Sequence, residues 1–489
     1  MSVGPLLDLI RSSTQEFWAE RNRKAFSALF GSPDGRFSKI AAKAVTLRAP
    51  EMSADSGVPF AAYIHPSNPP SGPYSGLSFV IFPVTGQPCL IGLVVGTQGL
   101  APDEAILGRP GHARKVQAIC SWLSHQGNGG LVAWAKQDPT RTDLPVPEIV
   151  TKAWPAYKAV FERYGKEIYA LYCPTADETK TETALTAFLD LFFEERGHQP
   201  LAGCDPGCRA IRAGWFEHLM PSVERRQVRD LLATRRYAIV QGPPGTGKTR
   251  MAIDLLREDY GGRGRSIQFH PNTTYENFIG GLAPVYAAGE LGFRFTPVAG
   301  FLMDAASQAL RDPSHNHLLH IDEINRADLG KILGEAIFLL EATSNSERRI
   351  DLPFDFGEPF HRTFFLPVNL HILGTMNSAD RSIAIVDVAV RRRFAFVSLW
   401  PRMSVVEQHG CLTMQKAFQD LVSIFIEHAS DDAFPLVPGH SYFLESNEER
   451  AKESLRVNLA PLLEEYLAQG YIAGFSEPIR GYLQELRSL

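Results

Sequence analysis

The residues best suited to chemistry lie between Gly242 and Arg393. The stretch QGPPGTGKT supplies Gly242, Pro243, Pro244, Gly245, Thr246, Gly247, Lys248 and Thr249 in the spacing G-x4-G-K-[ST]. Glycines let backbone N–H groups turn inward around phosphate oxygens, where a side chain would block close approach. Lys248 can then reach the β- and γ-phosphates of a bound nucleotide, and the Thr249 hydroxyl can ligate Mg2+. Further along, LLHIDEIN ends in two adjacent carboxylates. Asp322 would hold the magnesium, directly or through water, and Glu323 would polarise a water for in-line attack on the γ-phosphate. Taken alone, such a pair is usually a solvated turn. After the glycine loop it matches the layout of the additional-strand NTPases. Asn377, in LHILGTMNSADRS, is placed to hydrogen-bond the attacking water or the γ-phosphate. Arg391, Arg392 and Arg393, in AVRRRFAF, are either a solvated basic face or the source of an arginine that reaches a neighbouring subunit's γ-phosphate.

Positioning these groups needs strands that end where the polar residues begin. YAIV (237–240) reads as a buried strand running into the glycine loop. Met251, Ala252, Leu255 and Leu256 then recur at helical spacing, which completes the strand–loop–helix context of a phosphate-binding loop. The expected fold is α/β: a P-loop NTPase core with a parallel sheet over 210–400, followed by a helical lid over 401–489. In the lid, Leu455, Leu459, Leu462, Leu463 and Tyr466 keep a helical period, and Pro461 can start a second helix. Residues 1–205 read as a mixed α+β domain with strand-like runs LSFVIFPV (77–84), CLIGLVVGT (89–97), GGLVAWAK (129–136) and EIYALY (167–172). An amphipathic helix over 183–196 precedes the expected join, GHQPLAGCDPG. His317 and His320 beside the acidic strand read as packing or edge residues. The sequence shows no internal repeat.

At 489 residues the chain is long enough for two to four domains. Its formal net charge of -5 excludes a surface that is basic all over, so any nucleic-acid contact must be a local patch. Six scattered cysteines make no disulfide framework, and Cys204-x3-Cys208 has no second pair, so a plain loop is favoured there over a metal site. MSVGPLLDLI lacks the basic start and long apolar run of a secretory signal, and the longest apolar runs are strand-length. Together these point to a cytoplasmic protein with no membrane span.

Several linked stretches over roughly 235–475 resemble the McrB family, the nucleotide-driven AAA+ motors of modification-dependent restriction systems. They are QGPPGTGKT, FHPNTTYENFIGG (269–281), IDEINRADLGKILGEAIFLLE (321–341, with a helix carrying Glu335), TMNSADRSIAIVDVAVRRRF (375–394), PGHSYF (438–443) and LAPLLEEY (459–466). The resemblance implies a hexameric ring that hydrolyses GTP, with ATP the alternative, because no side chain here is assigned to the guanine edge. It also implies a separate McrC-like nuclease subunit, stimulated hydrolysis, and DNA, modified or not, as target. By resemblance, Asn377 to Asp380 occupy a segment once compared with a guanine-specificity motif. Arg392 or Arg393 takes the place of the trans-acting arginine, and His440 and Ser441 fall where the lid folds back over the nucleotide. Ser378 stands where threonine is usual, and His320 where an apolar residue is typical.

The N-terminal region is not matched by the resemblance and is expected to recognise the target, with no nuclease signature of its own. GRPGHARK (108–115) clusters Arg109, His112, Arg114 and Lys115, read either as phosphate contacts or as a solvated helix face. Tyr63, Tyr74, Trp122 and Trp134 either stack on an extruded base or belong to the core. Arg225, Arg226, Arg229, Arg235 and Arg236 could face DNA, a neighbouring subunit or solvent. Two rival readings stay open. One is a protein-remodelling chaperone of the MoxR type. The other is a nucleotide-gated ring that assembles on DNA without translocating.

Overall fold

A computed structural model describes residues 3–12, 16–31, 35–50, 57–69, 71–126, 130–286, 292–341, 348–379 and 388–489. The chain forms two compact units, Met1–Pro221 with Ile424–Ser430, and Ser222–Ser423 with Asp431–Leu489.

The first unit is built on an antiparallel sheet of six strands, β1 (Thr46–Arg48), β2 (Ala61–Ile64), β3 (Leu77–Val84), β4 (Gln87–Val95), β5 (Ala133–Ala135) and β6 (Ile168–Tyr172), ordered β1-β2-β3-β4-β6-β5. Strand alternation sends Phe79 and Ile81 of β3 to one buried cluster and Val80 and Phe82 to another, so helices and loops cover both faces. The expected strands therefore form, and the helix expected over 183–196 runs Glu178–Glu194. The unit extends past the expected join at 205. Helix Asp205–Leu219 packs Ile211 and Trp215 onto the core of the first unit. Gly214 lies so close to Trp122 that a Cβ there would sit 2.4 Å from its ring. Close helix packing thus overrides the Pro-Gly signal at 205–207.

The second unit centres on a five-stranded parallel sheet: β7 (Tyr237–Gly242), β8 (Gly264–Gln268), β11 (His317–Asp322), β14 (Leu370–Asn377) and β15 (Ala395–Ser398), ordered β15-β7-β14-β11-β8. Two small antiparallel pairs join it, β9 (Gly280–Tyr286) with β10 (Phe293–Ala299), and β12 (Arg349–Asp351) with β13 (Thr363–Phe365). Tyr237 and Ile239 of β7 face one core, Ala238 and Val240 the other, as expected for a parallel strand buried on both sides. β14 is inserted between β7 and β11, which brings the end of the glycine-loop strand, Asn377 and Asp322 to one edge of the sheet. The single helix expected to carry Glu335 is broken: α-helix Leu329–Leu333 stops at Gly334 (φ +49°) and a 3-10 turn continues to Leu339. The helices of residues 401–489, including Ala460–Ala468 with Pro461 in its first turn, belong to this unit apart from Ile424–Ser430. Among the described residues no helix is long and apolar enough to cross a membrane.

Candidate functional site: a phosphate loop, two carboxylates and a docked lid

The loop after β7 folds as the glycines dictate. Gly245 (φ +81°) and Gly247 (φ +83°) occupy the left-handed region, and Gly247 leads directly into helix Lys248–Asp254. A Cβ on Gly247 would meet nothing closer than His440 Nε2 at 3.9 Å, which leaves its face open for a phosphate. Lys248 bends back over the loop. Its Nζ donates to the carbonyls of Gly242 (3.0 Å) and Pro243 (2.8 Å). Burial lowers its pKa to about 8, against the raising pull of Glu323 and Asp322. Thr246 is buried and donates to the Pro243 carbonyl at 3.0 Å, bracing the loop from inside.

Sheet register brings the acidic pair to this loop. Thr249 Oγ1 donates to Asp322 Oδ1 at 3.0 Å, and Thr375 Oγ1 donates to the same oxygen at 2.5 Å. A hydroxyl and a carboxylate oxygen side by side next to a phosphate cradle are the hard donors Mg2+ takes, so Thr249 and Asp322 fit that ion. Glu323 follows in the left-handed region (φ +51°), a conformation costing on the order of 1–2 kcal/mol for a non-glycine residue. Its carboxylate lies 3.4 Å from Arg326 Nε. Asn377 ends β14 in register with Gly242, and its Oδ1 accepts from the Ala379 amide at 3.1 Å.

The segment 438–443 is bonded to the loop by its backbone. The Gly439 amide donates to the Pro244 carbonyl (2.8 Å) and the Ser441 amide to the Gly245 carbonyl (3.0 Å). His440 is buried beside Gly247. Its Nδ1 accepts from the Arg402 amide at 3.4 Å, and burial, then Arg402, lower its pKa to about 4, so the ring is neutral. Next to the loop opens a cavity of about 650 Å³, large enough for a nucleoside. Val223, Met251, Val405 and Leu444 give it apolar walls, and Thr246 and His440 lie on its phosphate side.

Three residues to which the sequence reading gave no role at the site belong to this arrangement. Ser378 donates its amide to the Gly242 carbonyl (3.0 Å) and its hydroxyl to the Pro435 carbonyl (3.1 Å), tying loop to lid. Gly439 approaches so closely that a Cβ would sit 2.1 Å from the Gly245 carbonyl carbon. Thr375 orients Asp322. All three lie in quoted motif stretches, but nothing in the pattern shows which backbone or carboxylate each one bonds.

A family model for the AAA domain (dynein-related subfamily) matches residues 238–394. The chain is 34% identical over 352 residues to the type IV methyl-directed restriction enzyme EcoKMcrB subunit of Escherichia coli, covering 66% of this chain and 75% of that protein. The chain belongs to the McrB family. A second relative in a restriction system, the BsuMI component YdiS of Bacillus subtilis, is 27% identical over 234 residues, covering 38% of this chain and 67% of that protein. The McrB-family chain is thus an AAA+ nucleoside triphosphate hydrolase of a restriction system, and the AAA+ match ends at Phe394, just past the arginine run.

The other expected site residues fall as follows. Arg391 lies over the Phe396 ring (5.3 Å) and Arg392 is exposed. Arg393 is partly buried, with Nη1 donating to the Ala389 carbonyl at 2.6 Å. Asp380 lies outside the described residues. The expected DNA contacts in the N-terminal unit find acceptors within that unit. Arg114 donates to the carbonyls of Ile426 (2.8 Å) and Ala429 (2.6 Å), while Lys115 pairs with Glu195 (2.5 Å) and Glu427 (2.6 Å). Arg109 pairs with the same two carboxylates. These cations are thus paired with carboxylates and carbonyls of their own unit. Of the four aromatics, Tyr63 is buried, Trp122 packs against Gly214, and Tyr74 and Trp134 pack onto a buried cluster, which is the core reading. Arg225 and Arg229 pair with Asp259 (3.0 and 3.5 Å) beside the cavity next to the loop. Arg236 donates to the Pro367 carbonyl at 2.6 Å. Among the described residues no group of three or more His, Cys, Asp and Glu is placed to hold a metal ion, and Cys208 Sγ accepts from Arg36 Nη2 at 3.1 Å.

Proposed function

We propose that the protein is the nucleotide-driven motor of a modification-dependent restriction complex, hydrolysing GTP in preference to ATP and driving a separate McrC-like nuclease. The observation that carries the reading is the convergence of Thr249 and Asp322 at 3.0 Å beside the glycine loop, with Glu323 next in the chain. Amides of the loop and Lys248 would bind the triphosphate, with the Lys248 ammonium released from the Gly242 and Pro243 carbonyls as the phosphates arrive. Thr249 and Asp322 would hold Mg2+, which would supply charge neutralisation for the triphosphate. Glu323 accepts a proton from the attacking water, and Asn377 orients that water or the γ-phosphate. The neutral His440 ring, with Nδ1 taken by the Arg402 amide, leaves its Nε2–H beside Gly247 for a phosphate oxygen. Ser441 and His440 together let the lid sense an occupied site. Arg392, exposed at the end of its helix, is the arginine that reaches a neighbouring subunit's nucleotide in a hexameric ring, while Arg393 anchors that helix.

The printed name of the Escherichia coli relative describes a methyl-directed enzyme, which supports DNA as the target and the N-terminal unit as its reader. The test is hydrolysis of GTP against ATP by the full chain, with plain, methylated and hydroxymethylated DNA and a cognate nuclease subunit. Faster GTP turnover, raised by the nuclease and coupled to cutting of one DNA class, supports the reading. Equal turnover of the two nucleotides removes the guanine preference, and absence of DNA affinity at every salt concentration favours a remodelling chaperone.

A further inference from the structure

Behind the acidic pair a line of polar side chains runs inward from exposed Ser266 on the edge strand β8 to His320 and Thr375, buried in a core that would normally lack them. His320 is fully buried on β11, two residues before Asp322 and therefore on the same face. Its Nδ1 lies 2.7 Å from Ser266 Oγ on β8, and its Nε2 lies 3.2 Å from Thr375 Oγ1 on β14. Thr375 in turn bonds Asp322 Oδ1 at 2.5 Å, where Thr249 also arrives at 3.0 Å. One constraint fixes every proton in this line. An ionised carboxylate only accepts, so the single Thr375 hydroxyl proton goes to Asp322. The Thr375 oxygen must then accept from His320, which places the ring proton on Nε2. Nδ1 is left as an acceptor, and Ser266 donates to it. The order is Ser266 to His320 to Thr375 to Asp322.

We infer that His320 is a positioning residue for nucleotide hydrolysis: its Nε2–H locks the Thr375 hydroxyl so that Asp322 is held facing Thr249, ready for the metal ion. The inference rests on the reading of Asp322 as the magnesium-holding carboxylate. Without a donor at this point, the Thr375 hydroxyl is free to turn toward a strand carbonyl, and Asp322 loses one of its two hydroxyl partners. Hydrogen-bonded groups behind a metal-binding side chain govern its orientation and commonly change metal affinity by about 10–100-fold. A histidine that merely fills space predicts instead that shape alone matters at this position.

The substitutions separate these cases because the amide of glutamine reaches the place of Nε2, whereas that of asparagine reaches only the place of Nδ1. The probe is whichever of mant-labelled GTPγS and ATPγS binds the wild-type chain more tightly, titrated with the full-length protein in EDTA and across Mg2+ concentrations. His320→Leu is expected to raise the Mg2+ concentration needed for half of the metal-dependent tightening by about tenfold or more, leaving affinity in EDTA unchanged. His320→Gln restores the wild-type Mg2+ response and His320→Asn does not. Thr375→Val reproduces the loss, and the His320→Leu/Thr375→Val double variant loses no more than either single one. An unchanged Mg2+ response in His320→Leu and Thr375→Val overturns the inference. So does equal behaviour of the Gln and Asn variants, or a loss that appears equally in EDTA. Asp322→Asn serves as the separate control. If it keeps the wild-type Mg2+ response, the assignment of Asp322 has failed, and with it the premise on which the role of His320 stands.

Discussion

The amide of Gly439 donates to the carbonyl of Pro244 at 2.8 Å, so the lid segment is hydrogen-bonded directly to the phosphate loop. With Ser441 bonded to Gly245 beside it, movement of the loop on nucleotide binding must be felt by residues 438–443. Gly439→Ala would place a Cβ 2.1 Å from the Gly245 carbonyl carbon and 2.5 Å from the Thr246 nitrogen, both backbone atoms that cannot turn aside. Overpacking of this kind costs about 1–3 kcal/mol. Nucleotide affinity should weaken by roughly tenfold or more, read by fluorescence titration. Gly481→Ala, where a Cβ meets nothing within 4 Å, should leave affinity unchanged.

Lys248 gives the site a pH signature. In the free protein burial holds its pKa at about 8, and arriving phosphates must raise it. Above pH 8 the free lysine is largely neutral, so binding has to take up a proton and affinity falls as pH rises. Below about pH 7 the lysine is already charged and the dependence flattens. Calorimetry in two buffers of different ionisation heat should show proton uptake at pH 8.5 that fades by pH 7. Uptake that is absent at pH 8.5 contradicts the assignment.

Acid should loosen the second unit through three buried neutral histidines. Burial lowers His320, His371 and His440 to about 4, with Arg402 adding to the effect at His440 and Arg236 at His371. Each folded value lies below the unfolded one near 6.5. The stability they contribute is therefore complete above pH 6.5 and is lost as pH falls toward 4, by up to roughly 3 kcal/mol each. Thermal unfolding followed between pH 7.5 and 4.5 should show Tm dropping steadily below 6.5. His371→Asn, whose amide oxygen can take the place of Nδ1 and still accept from Tyr260, should make that slope shallower.

The arginine run divides its labour. Arg393→Ala removes a 2.6 Å bond to the Ala389 carbonyl and should lower stability by about 1 kcal/mol. Arg392→Ala should leave Tm unchanged and nearly abolish hydrolysis. If Arg392 acts across a subunit boundary, mixing that variant with Lys248→Ala protein should recover part of the activity, because each supplies what the other lacks. No recovery on mixing contradicts action in trans.

The nucleotide site was legible in the sequence because its chemistry is local. Gly245 and Gly247 announce their backbone by type, and Asp322 and Glu323 stand out because they end an apolar strand downstream of that glycine loop. What stayed hidden depends on partners far along the chain. Arg109, Arg114 and Lys115 look like an exposed basic cluster until Glu195, Glu427 and the carbonyls of Ile426 and Ala429 fold against them. His320 looks like packing until β8 and β14 bring Ser266 and Thr375 to its two nitrogens. The break at Gly334 was hidden because a glycine inside an apolar helical pattern does not reveal its φ of +49°.

The central claim is that Glu323 activates water beside a nucleotide bound by the glycine loop. Steady-state hydrolysis and equilibrium nucleotide binding, measured together on Glu323→Gln and wild-type protein, test it most directly. The expected result is turnover at least about a hundredfold slower with binding affinity preserved, since the amide keeps size and place but cannot take the proton. Turnover at the wild-type rate would contradict the account.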